Sequence, residues 1–372
     1  MAYVSDYLHK KASAKKVPLT GNFELSPVCN FACKMCYVRR TPEQIAAMGK
    51  SLIPWEKWLD LGRAARDAGM LYLLLTGGEP FIYPGFRQLY TELHKLGLLI
   101  FINSNGTMID EATVAWLKEY APVRVNITLY GASPETYRRI CGRADGYDRA
   151  MRAIRLLREA GINVVINASM IPENACDLEA IIETGRSLGL NTRVSTYMFP
   201  PMRREAESGD SRFTPEQSAE MYLRKNRCQL SPEKYCEFLS NSIEKVKNSA
   251  AAPENDDWGT DNAEFMRCRA GRCTFWVNWE GNMNACGMMD FPLCVHPFEE
   301  PFADCWMRLT NAVRSTPVLK GCEGCDKREI CNPCVAMIYG ETGTVDQKAP
   351  YMCRLAEHTL ELMHRQLEEE KQ

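Results

Sequence analysis

The chain has 372 residues, 45% of them hydrophobic and 25% charged, with 45 Lys plus Arg against 47 Asp plus Glu and a net charge of -2. Those proportions exclude a chain that is disordered throughout, and the lack of a basic excess argues against nucleic acid as a partner. No apolar run reaches the roughly 18 residues of a bilayer span, so no membrane partner is expected.

Residues 1–20 hold Lys10, Lys11, Lys15 and Lys16 but no apolar stretch, and read as an N-terminal extension, not a secretory signal. The expected compartment is the cytoplasm. From residue 21 to about 205, short apolar runs at 23–25, 71–75, 98–102, 123–129, 162–168 and 192–197 alternate with amphipathic stretches. The spacing predicts helices over 54–68, 84–96, 110–120, 147–160 and 174–188, with Pro or Asp near starts and Gly69, Gly97, Gly161 and Gly189 at stops. Six such repeats predict an α/β fold with a parallel sheet, either a partial barrel or an open doubly wound sheet. Both gather ligands at the C-terminal ends of their strands. Residues 202–210 read as a polar loop, 214–249 as one or two helices and 250–262 as a linker. Between Cys268 and Cys353 the chain is dense in Cys, Gly and Pro with little periodicity, apart from a short hairpin over 275–286. The end is a charged helix.

Seventeen cysteines are many for a reducing compartment, where clustered thiols more often hold metal than pair. Cys29, Cys33 and Cys36 follow the first strand at a Cys-x3-Cys-x2-Cys spacing. Chance would produce such a triplet only about 0.04 times, so the spacing is taken as chemistry. Three thiolates on one loop leave a four-ligand site incomplete: either a remote ligand closes it, as in a structural zinc site, or one iron stays open to substrate. Farther on, Cys322, Cys325, Cys331 and Cys334 form a second run, with Cys268, Cys273 and Cys286 upstream and Cys353 downstream.

The first cluster, with Tyr37 after its last cysteine, resembles the signature of the radical S-adenosylmethionine enzymes. The resemblance implies a partial (β/α)6 TIM-like barrel and a 4Fe–4S cluster held by the three thiolates. Its fourth iron would chelate S-adenosylmethionine, whose reductive cleavage yields a 5′-deoxyadenosyl radical that abstracts hydrogen from substrate. TGGEP, with Gly77, Gly78, Glu79 and Pro80, resembles the family's motif for the methionine amino group. NSNGT, with Ser104 and Asn105, and ITLYG, with Thr128, supply further candidate cofactor contacts. Where relatives carry an Arg, this chain has Cys141, read as a packed residue, which leaves Arg143 as the candidate carboxylate clamp.

The C-terminal block resembles the SPASM domain. That resemblance implies two auxiliary 4Fe–4S clusters, one on Cys268, Cys273, Cys286 and Cys334 and one on Cys322, Cys325, Cys331 and Cys353, with zinc ribbons as the competing reading. The implied organisation is an extension over 1–20, a barrel over 21–205, a helical linker over 206–262, a SPASM domain over 263–355 and a C-terminal helix over 356–372. Relatives of this arrangement, sulfatase maturases and peptide maturases among them, mostly modify peptide or protein side chains. The expectation is therefore a radical oxidoreductase that oxidises or cross-links such a side chain, with dehydrogenation of a small alcohol or amino sugar as the alternative. Where sulfatase maturases place a basic Asp, this chain has Gly287, and the nearest acid is Asp290. Residues 197–204, Trp276 and Trp279 are candidate cleft residues. Expected partners are the peptide or protein substrate, a one-electron reductant such as flavodoxin or ferredoxin, and a separate leader-binding protein, since only about 20 residues precede the first strand.

Overall fold

The structure is a computed structural model that describes residues 4–200, 211–249, 268–317, 322, 325–331 and 334–370. The expected loop over 202–210 and linker over 250–262 lie outside the described residues. Eight strands form one sheet: β1 (Thr20–Glu24), β2 (Tyr72–Thr76), β3 (Leu99–Ser104), β4 (Arg124–Thr128), β5 (Val164–Ser169), β6 (Asn191–Ser195), β7 (Thr274–Val277) and β8 (Met283–Asn284). Their order is β6-β5-β4-β3-β2-β1-β7-β8, and every pair is parallel except β7 with β8.

Strand alternation sends one set of side chains to each face of the sheet. On the outer face Phe23, Leu73, Leu75, Ile102, Val125, Ile127 and Ile166 are fully buried. There they meet the helices Trp55–Asp67, Phe86–Lys95 and Gly146–Glu159, whose buried residues include Trp58, Leu89, Leu93 and Ile154. The inner face carries Tyr72, Thr76, Asn103, Arg124, Asn126, Thr128, Asn167 and Ser169, which line cavities instead of a second helical layer. A doubly wound sheet would be apolar on both faces. The polar inner face therefore selects the partial barrel from the two expected architectures.

The hairpin of β7 and β8 forms as expected but also joins the sheet beside β1, with Thr20 opposite Thr274 and Phe23 opposite Val277. The cysteine-rich segment is more regular than its composition suggested. A helix at Phe302–Arg314 sets Phe302 and Trp306 against Phe275, with ring centroids 5.2 and 6.1 Å apart. It covers β7 as the other helices cover theirs. Helices Pro215–Gln229, Pro232–Ser249 and Pro350–Glu369 build a separate small core around Leu223, Tyr235, Leu239, Leu362 and Met363. A further helix, Val4–Ala14, occupies part of the expected N-terminal extension.

Candidate cofactor site and cysteine clusters

The loop after β1 is held by backbone hydrogen bonds on two sides. Ala32 N–H donates to the Cys141 carbonyl at 3.0 Å and Lys34 N–H to Ile140 at 3.1 Å, tying it to the end of the helix Pro134–Cys141. Gly78 N–H donates to Ser26 at 2.6 Å and Glu79 N–H to Val28 at 3.0 Å, tying it to the turn after β2. This second approach requires glycine: a Cβ on Gly78 would overlap the Val28 carbonyl, and Gly77 has φ +150°. Phe31 anchors the loop in the core, edge-on to Tyr130 and Tyr137 at 6.0 Å.

The three thiols converge. Cys29, Cys33 and Cys36 line one cavity of about 300 Å3 with Tyr37, Gly77, Gly78, Ser104, Asn105, Thr128, Asn167 and Ser169. That is the lower end of the range for small-molecule sites. Nine of the expected cofactor or cluster residues in this region thus share a wall, which the strands reach from their C-terminal ends. Burial pushes the Cys29 thiol up to about 12, with the charges of Glu79, Cys33 and Cys36 adding to it. The neighbouring Cys141 thiol, then burial, push Cys33 well up, while the Tyr130 hydroxyl pulls the other way. Three thiolates here need a compensating cation, which iron supplies. Among the described residues, no three His, Cys, Asp or Glu side chains close in to the spacing of a single metal ion. Three thiolates on one cavity wall fit the protein ligands of an iron–sulfur cluster.

The remaining expected residues of this region stand elsewhere. The Glu79 carboxylate does not reach the cavity. It is fully buried and accepts from Ser104 Oγ at 2.9 and 3.1 Å, Asn105 N–H at 2.8 Å and Phe81 N–H at 3.2 Å. Its place is under the loop after β3, which it holds against the cavity. Pro80 is buried and opens a short 3-10 turn, Pro80–Ile82. The expected clamp Arg143 donates to both carboxylate oxygens of Asp145 at 3.0 and 2.7 Å with 42% of its side chain exposed, and does not line the cavity. Its ion pair with Asp145, two residues away, holds it there. Asp290 is also exposed and accepts from the Tyr339 hydroxyl at 2.7 Å, away from both mouth cavities.

Sequence reasoning missed Asn30, Tyr130 and Asn167. Asn105 Nδ2 donates to Asn30 at 2.8 Å, and Asn30 Nδ2 donates to the Thr107 hydroxyl at 2.7 Å, linking the cysteine loop to NSNGT. Asn30 stands inside the cysteine motif and Tyr130 two residues past Thr128, so proximity to the motifs was the available signal. Asn167 carried none.

A second cavity of about 220 Å3 adjoins the first, sharing Met35, Cys36, Tyr37, Ser169 and Met198. Tyr197, Met198, Phe199 and Pro200 line it, as expected of that stretch, together with Arg212 and Met288. Trp276 and Trp279 do not: Trp276 donates to Glu24 at 3.2 Å and Trp279 is buried beside Lys50. Behind the wall, Glu341 accepts from Tyr197 at 2.8 Å and Arg212 at 2.7 Å.

Charge interactions tie some of the C-terminal thiols together in two sets. Burial, then the charges of Cys353, Cys322 and Cys325, push Cys331 up to about 12. Cys268 is raised by burial and by Cys334, and Cys273 is pushed to about 11 by burial and by Cys268. Cys286 accepts from Met288 N–H at 3.5 Å. The charges raising Cys294, after burial, come from Asp290 and Glu280, not from another thiol.

A one-sided parallel β/α sheet with three thiols lining the cavity at its mouth defines a partial barrel. Residues 23–185 match the Radical SAM superfamily, and this part of the chain is a radical SAM domain. The family implies S-adenosylmethionine and a 4Fe–4S cluster. The chain is 22% identical over 335 residues to an AdoMet-dependent heme synthase of Methanosarcina barkeri, covering 88% of this chain and 94% of that protein. It is 28% identical over 174 residues to the antilisterial bacteriocin subtilosin biosynthesis protein AlbA of Bacillus subtilis, covering 46% of this chain and 38% of that one. The fold resembles native anSMEcpe with bound AdoMet, with TM-score 0.66, 14% identity and coverage of 95% and 99%. It also resembles Streptococcus suis SuiB bound to precursor peptide SuiA, with TM-score 0.62, 18% identity and coverage of 93% and 79%. At these identities the two structures bear on the fold alone. No helix among the described residues is long and apolar enough to cross a membrane.

Proposed function

We propose that the protein is a radical S-adenosylmethionine oxidoreductase of SPASM type that oxidises or cross-links a peptide or protein side chain. In this reading Cys29, Cys33 and Cys36 hold the cofactor-binding cluster, and Tyr37, Gly77, Gly78, Ser104, Asn105 and Thr128 surround S-adenosylmethionine. Bound together, cluster and cofactor supply a radical that abstracts hydrogen. The chain's own part is positional. The Gly77–Gly78 turn lets backbone approach the ligand, the Ser104 and Thr128 hydroxyls offer hydrogen bonds, and Phe31 with Tyr130 encloses the thiols. Glu79 acts beneath the wall as a support for Ser104 and Asn105.

The observation that carries the substrate reading is the second cavity. It opens directly from the first, and Tyr197, Met198 and Phe199 of the barrel face Met288 of the cysteine-rich region across it. An apolar, aromatic slot between the two regions suits a side chain inserted from a larger chain. Peptide-directed relatives, including a PqqA peptide cyclase of Rhizobium meliloti, 28% identical over 183 residues, support the same reading. We assign Cys268, Cys273, Cys286 and Cys334 to one auxiliary cluster and Cys322, Cys325, Cys331 and Cys353 to the other. The mutual influence of Cys268 with Cys273 and Cys334, and of Cys331 with Cys322, Cys325 and Cys353, supports this, and Cys286 joins the first set on the SPASM resemblance. Those clusters would take the electron left on the substrate. A flavodoxin or ferredoxin would reduce the first cluster, and a separate protein would present the peptide.

The likeness to a heme synthase over 88% of the chain favours a second reading, a radical SAM enzyme acting on a small molecule such as a tetrapyrrole. Mass spectrometry separates them. With S-adenosylmethionine and reductant, a peptide encoded beside the gene should lose hydrogen, about 2 Da per new bond or double bond. An unchanged peptide together with turnover of a tetrapyrrole or small alcohol would reverse the assignment.

A further inference from the structure

A second cavity system opens at the opposite end of the barrel. About 420 Å3 of space lies between the N-terminal halves of the strands and the helix Val4–Ala14, lined by Thr20, Tyr72, Phe101, Arg124, Asn126 and Arg193 among others. Asn103 and Asn167 line both this cavity and the cofactor cavity above it.

Its charge is unusual. Arg124 and Arg193 both face the space, and among the described residues no carboxylate pairs with either. Burial lowers the pKa of Arg124, and the neighbouring charge of Arg193 lowers it further. A guanidinium stays protonated under such conditions, so two like charges remain side by side in a partly enclosed space. Arg124 is the partly buried member of the pair and Arg193 the exposed one, and an anion between them would relieve the repulsion felt at Arg124.

The pair is also held ready. Arg124 Nε donates to Asn126 at 2.8 Å, and its guanidinium lies over the Phe101 ring at 5.1 Å. Asn126 Nδ2 in turn donates to Asn103 at 2.7 Å. One edge of the guanidinium is thereby fixed while its terminal N–H groups face the cavity. His9 does not compete as a ligand, because its ring nitrogens are engaged with Ser5 at 2.6 Å and Thr20 at 3.0 Å.

We propose that this lower mouth binds a phosphate group between Arg124 and Arg193, from inorganic phosphate or a small phosphate monoester. A phosphate dianion offers oxygens to both guanidinium groups at once, whereas a single carboxylate satisfies one fork. The open volume leaves room for a small organic group on the phosphate. The site lies apart from the thiols, and its occupancy is independent of which substrate reading holds.

Isothermal titration of the anaerobically reconstituted protein with inorganic phosphate, AMP and succinate tests this. Saturable one-to-one binding of phosphate or AMP is expected, weakened about tenfold by Arg193→Gln and further by Arg124→Gln with Arg193→Gln. Arg193 is exposed, so the single variant tests the site even if the double variant folds poorly. Arg155→Gln, an exposed charge on the helix Gly146–Glu159, should leave binding unchanged, as should all three variants leave iron content. Tighter binding of AMP than of phosphate identifies a monoester, and the reverse identifies the free ion. Absence of saturable binding, equal binding by the arginine variants, or succinate binding as tightly as phosphate would overturn the proposal.

Discussion

Replacing Glu79 with Gln removes one charge from beneath the cofactor cavity while keeping the shape of the side chain. Burial raises the carboxyl to about 7 from an ordinary 4.5, even though Asn105, Phe81 and Ser104 all donate to it and pull it down. As pH rises, the unfolded chain therefore releases this proton first. The group's contribution to stability is fully present below 4.5 and is lost as pH climbs through 7. The gap corresponds to about 3 kcal/mol in all, of which about 1 kcal/mol falls between about pH 6 and about pH 8. Gln lacks this titration. It also offers one acceptor where the carboxylate offers two, at a cost of about 1 to 3 kcal/mol that does not vary with pH. The pH slope is thus the clean signature. Urea unfolding of reconstituted wild type and Glu79→Gln, followed by far-UV circular dichroism at both pH values, should show wild type losing about 1 kcal/mol relative to the variant on going to the higher pH. Parallel curves would refute the reasoning, because they would mean that the carboxyl ionises as freely in the fold as out of it.

Three further outcomes are expected. Gly78→Ala forces a Cβ into the Val28 carbonyl and should separate the cysteine loop from the turn after β2, lowering iron by about 4 per chain in a colorimetric assay. Glu341→Gln replaces a nearly buried carboxylate that accepts from both Tyr197 and Arg212, and should cost about 1 to 3 kcal/mol in urea unfolding as those charge-assisted bonds weaken. Thr128→Val removes a hydroxyl from the cofactor wall and should weaken S-adenosylmethionine binding about fivefold by equilibrium dialysis, with iron content unchanged.

Much of the barrel was legible because strand and helix periods differ and because turn residues punctuate them. The helix expected over 54–68 is found at Trp55–Asp67, and that over 147–160 at Gly146–Glu159. The thiol loop and Gly77–Gly78 were legible for a different reason: their chemistry is local, carried by spacing within one turn. Arg143 and Asp290 stand outside the cavity linings because their nearest partners, Asp145 and Tyr339, engage them, and the Tyr339 contact is between segments distant in sequence. Glu79 was read as facing the ligand, and the structure turns it inward, since nothing in a tetrapeptide says which side of a turn a carboxylate takes. The helix Phe302–Arg314 was hidden by the cysteines around it. Its apolar residues Phe302, Trp306, Leu309 and Val313 follow a helical period, and the surrounding composition drew attention away from them. The union of β7 with β1 is a contact between distant segments that no local pattern encodes.

The central claim is an iron–sulfur cluster on Cys29, Cys33 and Cys36 with one iron open to S-adenosylmethionine. Electron paramagnetic resonance of the dithionite-reduced protein, recorded before and after adding S-adenosylmethionine, tests it most directly. A cluster signal that shifts on addition, and that disappears in the Cys29→Ala, Cys33→Ala, Cys36→Ala triple variant while other cluster signals persist, is the predicted result. A signal indifferent to S-adenosylmethionine, or one that survives the triple substitution, would contradict the account.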